Sequence, residues 1–229
     1  MKTKLEQIIW DNRWSKHENR HVHAAGFSLV ELLMSLALSL LILGVAVATF
    51  SGALGTRDRE TSRTDAITSA EAALNIMSRE IGNSGYGLTG NGIVAADSTS
   101  NQMHIRANIN NTGANGTSTA QPGEDLTFYC ETCNGSTTGS VVRYDANAGV
   151  NSGIINRVSN VSFTYWNYVY DPVADVTTAT AGPAGPNTGR VTITLTVILA
   201  DVRGQPTNQV ETLTTDVTLR NSTFMLGLY

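Results

Sequence analysis

Few side chains in this 229-residue sequence have the type and spacing to do chemistry. The two cysteines, Cys130 and Cys133, stand in CETC, a spacing shared by disulfides, thiol redox centres and half zinc sites. A thioredoxin-like centre needs that CxxC at a helix N-terminus after a βαβ-type strand, and the flanking residues supply no such context. Zinc needs further ligands, and His104 is the one histidine beyond His23. DANAGVNSG, residues 145–153, offers oxygen ligands at Asp145, Asn147 and Asn151. It lacks the glycine and the closing acid of an EF-hand loop, so a hydrophilic turn between strands is the simpler reading. Tyr165, Trp166, Tyr168 and Tyr170 offer an aromatic ladder to a partner; Tyr165 reads as core and the other three as cover for the opposite face or an edge. No Ser-His-Asp set, carboxylate pair, phosphate loop or metal quartet occurs, so the chain reads as non-catalytic, with no cofactor and no metal. The remaining candidate is Glu31, the single charge in the apolar run from Phe27 to Phe50. An ionised carboxylate at a bilayer centre costs about 2.5–3.5 kcal/mol on insertion scales, and less near an interface, which makes it a functional candidate by default.

The elements that must carry these groups follow from pattern. FSLVELLMSLALSLLILGVAVATF, residues 27–50, would make a helix of about 36 Å, enough to cross a bilayer core. A secretory signal peptide would have a shorter apolar region ending at small residues, whereas here Ala24, Ala25 and Gly26 precede it. A plain single-pass anchor explains all of the segment except Glu31. Residues 1–26 carry Lys2, Lys4, Arg13, Lys16 and Arg20 against Glu6, Asp11 and Glu18, a net +2, which leaves −6 of the total −4 for the remainder. A basic leader held in the cytoplasm before an acidic, translocated remainder fits that asymmetry. With a pI near 5.5, nucleic acid is not an expected partner.

Beyond Gly52 and Gly55 the composition turns polar, yet Ile67, Ala70, Leu74, Met77 and Ile81 follow a 3-4 spacing that lays an apolar stripe along a helix. No proline interrupts residues 27–81, so one helix of about 80 Å is expected, far longer than a membrane is thick. Its second half, 51–82, must pack on a following domain, and Gly82, Gly85, Gly87, Gly90 and Gly92 end it. The remainder, 83–229, reads as strands and polar loops. EDLTFYC (124–130), VSFTYW (161–166), RVTITLTVIL (190–199) and TLTTDVTLR (212–220) alternate apolar and polar residues; SVVRYD and IINRV are weaker candidates. These predict an antiparallel sheet covered on one face by the amphipathic half-helix, an α+β fold. Residues 107–123 and 171–189 carry neither pattern and are expected to be long surface loops.

GFSLVE, a glycine, an aromatic and a glutamate four residues further on at the head of an uninterrupted apolar helix, resembles the processing site of type IV prepilins and pseudopilins. ALNIMSREIGNSGYG (73–87) and TTDVTLRN (214–221) are similar to the helix end and last strand of PilW-like minor pilins. The J-type pseudopilins of type II secretion share this plan. Outside that family, a membrane-anchored periplasmic binding or redox module is the alternative. At 26 residues the leader is long for the class: either it is unusual, or a start at Val22 gives a short one.

The resemblance implies a type IV pilin-like fold and cleavage by a membrane aspartyl prepilin peptidase between Gly26 and Phe27, with N-methylation of Phe27. It further implies that Glu31 faces the Phe27 amine of a neighbouring subunit and fixes the stagger between subunits. The chain would begin as a single-pass protein of the bacterial inner membrane with a periplasmic head. It would then join a pilus, in the initiating or tip complex. Partners would be other major and minor pilins, the peptidase, the inner-membrane assembly platform and an adhesin at the tip. For an exported head, Cys130 and Cys133 are expected to form a disulfide, with free thiols as the second state.

Overall fold

The computed structural model describes residues 26–111, 118–133, 139–202 and 206–226. The chain divides into two compact units between Ser51 and Gly52. One helix, α1 (Leu29–Gly82), has its first part in one unit and the remainder in the other. Eight strands follow: β1 (Gln102–Arg106), β2 (Asp125–Glu131), β3 (Ser140–Asp145), β4 (Val150–Asn156), β5 (Val158–Asp171), β6 (Val176–Gly182), β7 (Thr188–Ile198) and β8 (Val210–Thr218). A short helix, α2 (Thr223–Leu226), comes last. The architecture is a long N-terminal helix with antiparallel sheets, α+β.

In the second unit the apolar stripe of α1 is the buried face: Ala70, Ala73, Leu74, Met77 and Ile81 all enter the core, while Ile67 is half-buried. The helix stops at Gly82, and the turn behind it depends on glycine. Gly85 has φ +80°, and a Cβ there would lie 2.3 Å from the carbonyl oxygen of Gly90; no other residue fits without moving backbone. The amide of Asn221 donates to the carbonyl of Ser84 at 3.1 Å, tying the end of the last strand to the end of the helix.

Two four-stranded antiparallel sheets occur where one was expected, in the orders β1-β2-β3-β4 and β6-β5-β7-β8. The break falls at Arg157, the single residue between β4 and β5, whose φ of +60° turns the chain out of strand geometry. Its guanidinium donates to the carbonyl oxygens of Ile198 and Leu199, at 3.2 and 2.7 Å, which pins the corner. Met103, Ile105, Leu126, Phe128 and Val141 from the first sheet share one core with Val161, Phe163, Tyr165, Val191, Ile193 and Leu195 from the second. The alternation in the sequence therefore placed the correct faces inward.

Residues 171–189 are not one long loop: a strand, β6, divides them into two short connections. β5 continues to Asp171 and pairs with β6 from Tyr165↔Gly182 to Asp171↔Val176. All seven residues of β6 are exposed, so no face is buried and no two-residue periodicity can arise. The turn is closed locally: the Asp171 carboxylate accepts from the amides of Val173 and Ala174, at 2.8 and 3.2 Å. β1 leaves no readable pattern either, because five residues, QMHIR, with a buried histidine at the centre carry too little alternation. The described parts of 107–123 contain no strand or helix and are held by the buried Glu124, whose carboxylate accepts from the amides of Asn110 and Gln121 at 3.1 and 3.0 Å.

Candidate functional site

The N-terminal motif lies at the start of α1. Gly26, Phe27 and Ser28 precede the helix, and the amide of Leu32 bonds to the carbonyl of Ser28 at 3.1 Å, making Ser28 the residue from which the helix starts. Glu31 sits in the first turn, where the positive end of the helix dipole favours an acid. Phe27 is 77% exposed, and the large apolar side chains that follow it to Phe50 are exposed on every side of the helix. One 18-residue window has a mean hydropathy of 2.5, so this helix is long and apolar enough to cross a membrane.

Its other polar side chains are satisfied from within. Ser35 donates to the carbonyl of Leu32 at 2.9 Å, Ser39 to that of Ser35 at 2.7 Å, and Thr49 to those of Val45 and Ala46 at 3.1 and 2.9 Å. Back-bonding of this kind hides a hydroxyl from an apolar solvent. Glu31 can do no such thing, since an ionised carboxylate only accepts, and it has no partner among the described residues. Phe27 and Glu31 thus stand exposed at the start of an apolar helix, with one acid that has no donor among the described residues. The leader expected over residues 1–26 lies, apart from Gly26, outside the described residues.

Cys130, near the end of β2, and Cys133 are joined by a disulfide, with Cα atoms 5.7 Å apart. Between them Thr132 takes φ +57°, a conformation that a β-branched residue rarely adopts, so the bridge closes over a tight, strained turn. Cys133 is buried against Gly139, where an added Cβ would meet the Cys133 sulfur at 3.0 Å and the Val158 carbonyl oxygen at 2.0 Å.

The oxygen-rich segment 145–153 is a clamp for a turn. The Asp145 carboxylate is buried and accepts from the amides of Gly123, Asn147 and Ala148 at 2.6, 3.2 and 3.1 Å. Asn147 donates to the carbonyls of Thr119 and Gln121, while Asn151 is exposed in β4. Of the aromatic ladder, Tyr165 is core, and its hydroxyl donates to the carbonyls of Thr99 and Gln102 at 2.8 and 3.0 Å. Burial pushes that hydroxyl's pKa up, opposed by a weaker hydrogen bond with Ser98. Trp166 stacks under Arg190, with the guanidinium carbon 4.6 Å from the ring centre, Tyr168 stacks on Phe224 at 4.6 Å, and Tyr170 is exposed. The ladder is split between core, edge and hairpin.

One cluster escaped the sequence. His104 is bonded through Nδ1 to Asp97 at 3.0 Å and through Nε2 to Asp125 at 2.6 Å, and the other oxygen of Asp125 accepts from Arg106 at 2.8 Å. Arg106↔Asp125 is a cross-strand pair, and His104 opposes Thr127 on the same face. Recognising β1 would have revealed this cluster, since its alternate residues His104 and Arg106 then fall beside Asp125. Among the described residues no group of three His, Cys, Asp or Glu side chains is arranged to hold a metal ion. No family model matches the sequence, and neither a curated protein nor a solved structure matches it.

Proposed function

We propose that this chain is a PilW-like minor pilin, made as a membrane-anchored precursor, cut after Gly26 and assembled through α1 into a type IV pilus, in its initiating or tip complex. One observation carries the reading: GFSLVE stands immediately before and within the first turn of an apolar helix that continues without a break into an amphipathic half seated on antiparallel sheets. Cleavage frees an amine at Phe27 that the precursor lacks. When helices of several subunits pack together and exclude water, Glu31 needs a positive partner, and that amine supplies one at a fixed axial offset. Attraction between the two is strong only in such dry surroundings, which ties the register between subunits to assembly itself.

Intact-mass measurement on protein made alongside a prepilin peptidase is the direct test. The expected product begins at Phe27 and carries one added methyl group. It has lost Lys2, Lys4 and Lys16, the only lysines in the chain, so an amine-directed reagent finds just the terminal nitrogen. A product still beginning at Met1 sinks the reading. Glu31→Ala is expected to leave the head folded and to abolish incorporation into pili; incorporation at the wild-type level would remove Glu31 from its registering role.

A further inference from the structure

The outer face of the β1-β2-β3-β4 sheet gathers polar and aromatic groups in a way that core packing does not require. Gln102 opposes Tyr129, His104 opposes Thr127, and Thr127 opposes Tyr144. Together with Asp97, which reaches His104 from the turn before β1, they line a surface cavity of about 320 Å³. We infer that this cavity binds a small, neutral, polyhydroxylated ligand: one sugar residue at the end of a glycan.

Size sets the first limit. The depression is open and at the lower end of the volume range for ligand pockets, so its floor offers contact for about one ring. Rigidity is the second point. Both nitrogens of His104 are engaged by carboxylates, Asp125 is held in addition by Arg106, and the amide of Gln102 donates to the carbonyl of Asp97 at 3.1 Å. Backbone bonds from Val94 to His104 and from Thr99 to Gln102, 2.9 and 2.8 Å, fix the rim. The His104 cluster and the rim are therefore held before any ligand arrives, which lowers the entropy cost of binding.

Unused bonding capacity is the third. The hydroxyls of Thr127, Tyr129 and Tyr144 have no partner among the described residues. Each can donate and accept, as sugar hydroxyls can, and the two phenol rings add apolar surface for the C–H faces of a pyranose. Charge narrows the class. Asp97, exposed at the rim, disfavours phosphate and carboxylate ligands, Asp125 is offset by Arg106, and because both carboxylates already hold His104, an ammonium ligand would have to displace an existing partner. The inference is independent of the assembly role proposed above, because it concerns the head alone.

The test uses the full chain in a detergent without a sugar headgroup and saturation-transfer NMR with the methyl glycosides of glucose, galactose, mannose and N-acetylglucosamine. Transfer to at least one of them is expected, weakened about tenfold in Tyr144→Ala. Thr127→Val, which keeps side-chain shape and strand preference, is expected to weaken it in the same direction with no change in the unfolding midpoint, which guards against misfolding of the tyrosine variant. No transfer to any of the four glycosides overturns the inference. So does transfer that both variants leave unchanged, or binding of choline or inorganic phosphate in place of the sugars.

Discussion

Two stretches of the same helix differ in apolar content and in what surrounds their apolar side chains. From Leu32 to Phe50 the large apolar side chains are 58–66% exposed, whereas Ala70, Ala73, Leu74, Met77 and Ile81 are at 0–7%. The second stretch is apolar on one stripe and polar elsewhere, which suits burial against a sheet on one side and water on the other. The first is apolar all round and keeps its hydroxyls bonded to its own carbonyls, which suits a medium that offers no hydrogen bonds at any azimuth. Packing within the described residues thus stabilises one half, and the other presents an apolar surface long enough to cross a membrane. Glu31, in the first turn, is the one acid of that apolar half.

That contrast predicts the largest difference between two comparable truncations. Met77→Ala removes a side chain with no exposure from the centre of the core and is expected to destabilise the head by about 3 kcal/mol in denaturant unfolding. Leu40→Ala deletes similar bulk from a site that none of the described residues covers, and the same unfolding transition should move by less than about 0.5 kcal/mol. Equal losses would mean that the apolar half belongs to the folded core, and the division of the helix would be wrong.

How much of this was legible depended on where burial leaves a one-sided trace. β7 was readable because Val191, Ile193, Leu195 and Val197 point into the core against threonines on the wet side. β6 was not, since both of its faces are exposed and its order comes from pairing with β5, a long-range fact that alternation cannot encode. The split into two sheets turns on one residue, Arg157, whose left-handed backbone no neighbouring glycine or proline announces. At the N-terminus the reverse holds: GFSLVE is contiguous, so its chemistry is open to reading before any fold is known. The cluster of Asp97, His104 and Asp125 is assembled from a turn and two strands, and it became visible only with their register.

A middle-sized effect separates core packing from local closure within the head. Replacing both cysteines by serine removes a bridge that spans three residues of sequence, so the loss of global stability is expected to stay below about 2 kcal/mol, less than for Met77→Ala. The change should be concentrated nearby, because Thr132 is then free to leave its positive φ and Gly139 loses the sulfur it packs against. Amide hydrogen exchange should accelerate at residues 130–133 and 139–141 and stay unchanged in β7. Uniform acceleration across both sheets would instead make the bridge a support of the whole core.

The smallest effect compares two tyrosines on one strand. Tyr165 is inside the core, where burial raises the pKa of its hydroxyl; Tyr170 is exposed, and its pKa is raised chiefly by its hydrogen bond to Asp175. A raised phenol keeps its proton in the folded state at a pH where the unfolded chain, near pH 10, has begun to lose it. The folded state then binds more protons, so stability is fully present below about pH 10 and falls as pH rises further. Tyr165→Phe forfeits the bonds to Thr99 and Gln102, about 1 kcal/mol at neutral pH, and should flatten the alkaline fall. Tyr170→Phe loses a bond that water replaces, so unfolding midpoints followed from pH 8 to 11 should keep most of the wild-type slope. A profile that Tyr170→Phe flattens more than Tyr165→Phe would show that the exposed hairpin, and not the core, sets the alkaline limit of the head.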